Sequence, residues 1–403
     1  MDHASVAASG MTAHPAAMRG TRPLRVLHCP WNVAGHSAQL AAAERKLGAD
    51  SRCVVIQETA IGFPADEVLA RANPTILERE AARWRLLWRA MFWADVVHFS
   101  FGQSCLVPNA FPDLGRINWL NPASIAWRFY ARAVWLKDLP LLLAMGKKLA
   151  VTWQGDDARQ HDRSLALFDI SIAQSLGDRY YAPGSDAWKR RAIAAFARYV
   201  PIHYALNPDL MHVLPSKARF LPYASFDPAS VEPVLPSADS DRRLIFAHAP
   251  SHRGAKGTEH VLAAADALKA EGLAFELRLI EGMARGEAIA AYSACDVVID
   301  QLLAGWYGGL GLEAMTLGKP VIAHLREADL FALDPDMRAA LPVTNATPTT
   351  IANVMRTMIA MPRGELRALG LACRAFSEAW HDPRAIAAQT LVDYQTSTLE
   401  CTE

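Results

Sequence analysis

The 403-residue chain lacks a net charge of either sign: 41 basic residues meet 41 acidic ones, for a formal charge of +0. A nucleic-acid protein normally carries a basic surplus, so that class is set aside. Long hydrophobic runs are missing too. The best apolar stretch, Leu139 to Met145, is far short of the ~20 residues a membrane-spanning helix needs. Residues 1–22 hold no apolar h-region, being broken by Asp2, His3, His14 and Pro15, and read as a loose tail rather than a signal peptide. No Cys-x-x-Cys pair occurs. The six cysteines (Cys29, Cys53, Cys105, Cys295, Cys373, Cys401) are scattered, which excludes a disulfide framework and reads as buried thiols in a reducing compartment. Neither His-Glu-x-x-His nor another metal spacing is found, nor a Gly-x-Ser-x-Gly elbow. These absences leave a cytosolic protein with no metal or cofactor expected.

What is present is ample apolar material. Hydrophobic residues make up 52% and charged residues 20%, enough for two sizeable cores and unlike a disordered chain. From Leu24 short β-branched runs alternate with amphipathic stretches. Strands are predicted at Leu24–His28, Arg52–Ile56, Asp95–Phe99, Leu149–Trp153, Ile170–Ala173 and Ile202–Ala205, with helices at Ser37–Leu47 and Ile76–Trp93. A Pro-, Ser- and Asp-rich stretch, Phe226–Asp241, has the composition of a domain linker. The alternation restarts beyond it, with strands at Leu244–His248, Phe275–Ile280, Asp296–Ile299 and Pro320–Ala323 and helices at Glu259–Lys269 and Leu310–Leu317, the latter stopped by Gly318. Such alternation implies parallel βαβ units, hence an α/β fold of two doubly wound halves with a cleft between them. The helical tail Pro383–Gln395 is expected to cross back to the first half.

The most informative stretch runs from Asp296 to Leu325. A buried strand ends at Asp300, a Gly-rich loop follows, and Glu313 is expected in the first turn of the next helix. Gly308 and Gly309 allow close backbone approach, and free amides from Gly308 through Leu310 can hold phosphate or sugar oxygens. Glu313 suits a ribose diol. The same residues also make a tight turn with an acid near a helix dipole. A second loop, after Leu244–His248, carries Arg253 and Lys256 around Gly254, just before a helix. Two cations beside a helix start suit a diphosphate.

Glu313-Ala314-Met315 with Gly318-Lys319-Pro320-Val321-Ile322, and Arg253 with Lys256-Gly257, resemble the retaining glycosyltransferases of family 4. The resemblance implies a GT-B fold, two Rossmann-like domains facing a cleft, and a nucleotide-sugar as donor substrate without a metal. It implies an acceptor-side domain over 23–225, a linker over 226–241, a nucleotide-sugar-binding domain over 242–379 and a returning helix over 380–403. Glu313 would bind ribose, and Arg253 and Lys256 would neutralise the leaving diphosphate. Val151–Asp157 is similar to a family Thr-x-His-Gly-x-Asp segment, so Gln154 and Asp156 would orient the sugar, with Asp157 next in line. Gly35 stands in the family's Gly-rich loop after the first strand. The family's first motif Glu is replaced by Gly305; Asp300 and Gln301 are the nearest polar substitutes, and Trp306 and Tyr307 crowd the same loop, placing Tyr307 among the donor contacts. Between Ile280 and Asp296 the chain is expected to run almost directly from strand to strand.

Other signals weigh less. Gly309, Gly311 and Ala314 form a nominal Gly-x-Gly-x-x-Ala, but Gln301–Gly308 separate it from the strand, against a dinucleotide site. His98 reads as a core residue. Six of the eleven tryptophans fall between residues 84 and 135, interleaved with arginines. Trp127 and Trp135, beside Arg128 and Arg132, form either an interfacial helix at the inner membrane face or a wall packed on its own domain. The expected activity is transfer of a sugar to a glycan, lipid-linked or small-molecule acceptor in bacterial surface polysaccharide synthesis. The alternatives are an epimerase or phosphorylase using the same cleft, and a catalytically silent binding protein.

Overall fold

The computed structural model describes residues 22–59, 62–106 and 122–397. Among the described residues, twelve strands form two all-parallel sheets. They are β1 (Arg25–Cys29), β2 (Asp50–Val55), β3 (Glu67–Val68), β4 (Val96–Ser100), β5 (Lys148–Trp153), β6 (Ile202–Ala205), β7 (Arg219–Phe220), β8 (Leu244–His248), β9 (Phe275–Leu279), β10 (Val297–Ile299), β11 (Val321–Ala323) and β12 (Thr344–Asn345). The first sheet runs β3-β2-β1-β4-β5-β6-β7 and the second β12-β11-β10-β8-β9. Each is doubly wound, with the order reversing between β1 and β4 and between β8 and β10. Every residue of β4 and of β8 is buried, as expected of parallel strands covered on both faces.

One face of the first sheet is covered by the helices Ile76–Phe92, Asp138–Ala144 and Ser185–Tyr199, which share a core with β4 and β5 through Leu86, Leu139 and Phe196. Helix Ile76–Phe92 opens with a capping box, in which Glu78 N–H donates to Thr75 Oγ1 and Thr75 N–H to Glu78 Oε2. Helix Pro383–Thr396 packs against helix His36–Lys46, beside β1 and β2 of the first sheet. Glu44 anchors it: fully buried, its carboxyl meets His28 and Ser51 on one oxygen, and Tyr394 and Thr390 on the other. The outgoing and returning crossings between the sheets lie side by side, because His381 Nδ1 pairs with Tyr223 O at 2.9 Å and its Nε2 with Tyr307 Oη at 2.8 Å.

Several local expectations are corrected. Ile170–Ala173 is no strand: Ser171 caps a helix, Ile172–Leu176, by accepting from Gln174 N–H at 3.1 Å, and β6 takes the place beside β5. Between β9 and β10 the chain forms the helix Arg285–Ser293 instead of running directly. Glu313 sits in the second turn of helix Gly309–Thr316, not the first. Trp135 is half-buried, its ring 4.2 Å from that of Trp188, so it packs on its own domain; the side chains of Trp127 and Arg128 lie outside the described residues. His98 is a satisfied core residue, between Tyr394 Oη and Thr152 Oγ1. The five described cysteines are buried free thiols, while Cys401 and residues 1–21 lie outside the described residues. Among the described residues no helix is long and apolar enough to cross a membrane.

Burial pushes four imidazoles down, His36 to about 3 and His203, His324 and His381 to about 4. Each is neutral in the fold and takes up a proton on unfolding. The stability it contributes is therefore present above the ordinary histidine range and lost as pH falls from ~6.5 toward ~4, at about 1.4 kcal/mol per pH unit. Asp157 opposes them: burial pushes its carboxyl up to about 6, so it already holds a proton near pH 5. Urea unfolding between pH 7 and pH 4.5 should show net proton uptake, with stability falling as pH falls through this window. A flat profile would contradict this burial.

Candidate active site

Ligands bind doubly wound sheets beyond the carboxyl ends of the strands, where the order reverses. In the second sheet that point lies between β8 and β10. His248 braces it, its ring pairing with Ile299 O at 2.8 Å and with Thr258 Oγ1 at 2.9 Å. The chain leaving β8 makes a short helix, Arg253–Lys256, then turns at Gly257, whose φ of +77° favours glycine, into helix Thr258–Ala270.

Lys256 faces the end of β10. Its ammonium donates to Gln301 Oε1 at 2.6 Å and lies 3.3 Å from Asp300 Oδ1. Asp300 is fully buried and its Oδ2 accepts from Gly308 N–H; Gln301 donates in turn to Trp306 O. The Gly-rich loop is thus wrapped around two side chains and presents Lys256 at their edge. A Cβ at 308 would sit 3.0 Å from Lys256 Nζ and 3.4 Å from Asp300 Oδ2, so a larger residue there would press on the Lys256 ammonium. Gly309 faces open space, and helix Gly309–Thr316 has no side-chain cap. Its first amides, Gly309 and Leu310, have no intrahelical acceptor. An ammonium with a third N–H to give and an uncapped helix start therefore share one edge, a suitable cradle for a phosphate.

The structure brings Lys256, Asp300, Gln301, Gly308, Gly309 and Leu310 together. Arg253 points elsewhere, making a bidentate pair with Glu281 at 2.8 and 2.6 Å. Glu313 is already engaged: Arg285 donates to Oε1 at 2.5 Å and the Tyr292 hydroxyl to Oε2. Nothing in the motif pattern marks Arg285 or Tyr292, which enter from the helix between β9 and β10. Tyr307 has no exposed surface and donates or accepts at His381, so it belongs to the crossing between the sheets and not to the cleft. At Gly305, φ is +79° and a Cβ would collide with the Arg326 guanidinium. Arg326 is held there by Asp329 Oδ2 and Ile170 O and stacks over Phe168 at 3.7 Å, so no acid fits this position without displacing it.

On the first-sheet side, Asp157 makes the turn after β5, accepting from the amides of Gln154 and Gly155. That leaves Asp156 partly exposed, accepting from Tyr180 Oη and 3.5 Å from Arg159. The Gln154 carboxamide nitrogen is buried without a partner, a donor with an unused hydrogen-bonding capacity. Tyr180 meets His252 edge-on at 5.3 Å, and Leu176 packs on Gly254. Asp156 therefore reaches the Lys256 loop through Tyr180. Gly35, at φ +76°, is walled by Phe63, 2.8 Å from where its Cβ would stand, and the Phe63 ring carries Arg285 at 4.9 Å.

No family model matches the sequence, and no curated protein matches it. Among solved structures, HepE from Anabaena in complex with UDP and glucose is similar over 93% of this chain and 99% of its own, with TM-score 0.53 and 13% identity. Sucrose-phosphate synthase from Thermosynechococcus elongatus is similar over 93% and 98%, with TM-score 0.54 and 14% identity. HepE in complex with UDP-glucose gives 92% and 99%, TM-score 0.51 and 13% identity. At such identities the likeness is one of fold: the chain has the GT-B fold, two parallel α/β halves facing a cleft.

Proposed function

We propose that this chain is a retaining glycosyltransferase that moves a sugar from a nucleotide-sugar donor to a glycan, lipid-linked or small-molecule acceptor. The observation that carries the reading is the Lys256 ammonium beside the uncapped amides of Gly309 and Leu310 at the reversal point of the second sheet. HepE, similar in fold, is solved with UDP and with UDP-glucose, which supports a nucleotide-sugar here. Lys256 and the helix amides take the leaving diphosphate, with Arg253 joining when Glu281 releases it. Glu313 takes the ribose once Arg285 yields an oxygen. Gln154 and Asp156 orient the sugar. The bond from the anomeric carbon to the acceptor oxygen forms as its bond to phosphate breaks, and the acceptor proton passes to the departing phosphate oxygen. The reading is metal-independent, with Lys256 supplying the charge. Its setting is surface polysaccharide synthesis in the bacterial cytoplasm.

A binding-only reading draws on Arg326 over Gly305 and on the engaged Glu313. A nucleotide-sugar panel decides between them. The matching donor at 100-fold over its Kd should stabilise the fold by ~2.7 kcal/mol in thermal unfolding, with free nucleoside diphosphate released when acceptor is added. Absence of a shift with every donor would sink the donor site. Stabilisation without turnover would leave the binding-only reading, an isomerised nucleotide-sugar with no net release of diphosphate would favour an epimerase, and a sugar 1-phosphate formed on adding inorganic phosphate would favour a phosphorylase.

A further inference from the structure

Helix Ile76–Phe92 buries one face and leaves the other bare. Leu77 is 80% exposed, Trp88 64%, Phe92 58% and Trp84 45%. At 3.6 residues per turn these four side chains fall within an arc of about 80°. Ala82, Leu86, Leu87 and Ala90 hold the opposite side against the sheet. The Trp88 and Phe92 rings lie 5.2 Å apart. Trp84 Nε1 donates to Tyr130 Oη at 2.9 Å, which brings the neighbouring helix Pro122–Val134 alongside with Phe129, 70% exposed. Large aromatics standing together on a surface are unlike singly scattered exposed residues.

The charges left unpaired around this stripe have one sign. Arg85, Arg132 and Lys137 are exposed, and no ion pair engages them among the described residues. The nearby carboxylates are spent: Glu78 on Arg71 and the capping box, Glu80 on Arg83 and Tyr130. We propose that this face docks the protein on an anionic lipid surface, with Leu77, Trp84, Trp88, Phe92 and Phe129 entering the headgroup boundary and Arg85, Arg132 and Lys137 pairing with lipid phosphates. Tryptophan and arginine suit that depth, each combining an apolar body with a polar end. A second copy fits less well, because a two-fold contact through this stripe would set the same cations against each other. The docking face is formed by other side chains than Trp127 and Trp135, and it does not depend on glycosyl transfer.

Sedimentation of the full chain with phosphatidylcholine vesicles, with and without about 30 mol% phosphatidylglycerol, tests it. The protein should partition onto the anionic vesicles at least about tenfold more strongly than onto neutral ones. Trp84→Ala with Trp88→Ala should weaken partitioning at least about tenfold, and Arg85→Ala with Arg132→Ala by about fivefold per cation. Hydrolysis of a soluble donor should not change, and the thermal midpoint of each variant controls for the Trp84–Tyr130 hydrogen bond that Trp84→Ala removes. The proposal is overturned by equal binding to both vesicle types, by no binding to either, or by tryptophan variants that partition as the parent does. It is also overturned if sedimentation velocity shows a dimer that the tryptophan variants dissolve. Donor turnover in solution is read separately, so failure of either proposal leaves the other standing.

Discussion

Lys256→Met should lower donor turnover by about 10²- to 10³-fold, the usual loss when one preorganised donor to developing charge is removed. The size follows from where the ammonium stands. It is only 18% exposed, and its two protein contacts, Asp300 and Gln301, are set by β10 and by the wrapped loop. Charge that grows on a leaving diphosphate at the Gly309 amides therefore meets a cation already in place, with no reorganisation at the moment of reaction. Methionine keeps the stem and packing but removes the charge. The variant should lose about 1–3 kcal/mol of stability as well, because buried Asp300 is left with Gly308 N–H alone. A melt recorded beside the kinetics separates the two effects. Glu313→Ala offers the contrast: with the ribose contact proposed for it, made equally in ground and transition states, its loss should raise the donor KM more than it lowers kcat. Near-parental kcat in Lys256→Met would remove the ammonium from the mechanism.

Glu44→Ala should destabilise the protein by about 3–5 kcal/mol, the range found when one member of a buried polar pair is deleted. The carboxyl is the only acceptor for Ser51 Oγ among the described contacts, and it also meets His28 Nε2 at 2.8 Å, Tyr394 Oη at 3.1 Å and Thr390 Oγ1 at 3.2 Å. All of these groups are buried, so water cannot replace the lost partner. Two of them belong to the C-terminal helix, so the damage should concentrate there. Limited proteolysis is expected to release residues beyond about 380 from the variant long before the rest of the chain is cut. A variant that unfolds at the parental urea midpoint and keeps its C-terminal helix protected would show that the network contributes little.

Much of the fold was legible because its strands are buried on both faces and read as unbroken apolar runs; Leu244–His248 is a strand to the residue. Ile170–Ala173 carried the same composition but went to a helix, since Ser171 offers a cap and the sheet position beside β5 belongs to β6. The helix Arg285–Ser293 was hidden by Gly282 and Gly286 near its start. At the site, the meeting of Lys256 with the Gly-rich loop was readable from spacing, because strand ends and glycines fix a backbone, while the turn of Arg253 away from Lys256 to Glu281 was not. Partners recruited from afar were not. Glu281 on Arg253, Arg285 and Tyr292 on Glu313, and Arg326 over Gly305 join segments that no local pattern connects. Tyr307 misled for the complementary reason: an aromatic in a Gly-rich loop looks like a ligand contact until its burial is known.

The hydrogen bonds from His381 to Tyr223 and to Tyr307 have a mechanical meaning. The polypeptide passes between the two halves twice, and these bonds hold both passages at one place. A single tether would permit one half to swing and twist about the other in any direction. Two tethers clasped together act as the spine of a book: they set one axis along which the halves face each other and resist sliding or twisting about it. That axis sets the register in which Asp156 and Tyr180 face His252 and the Lys256 loop.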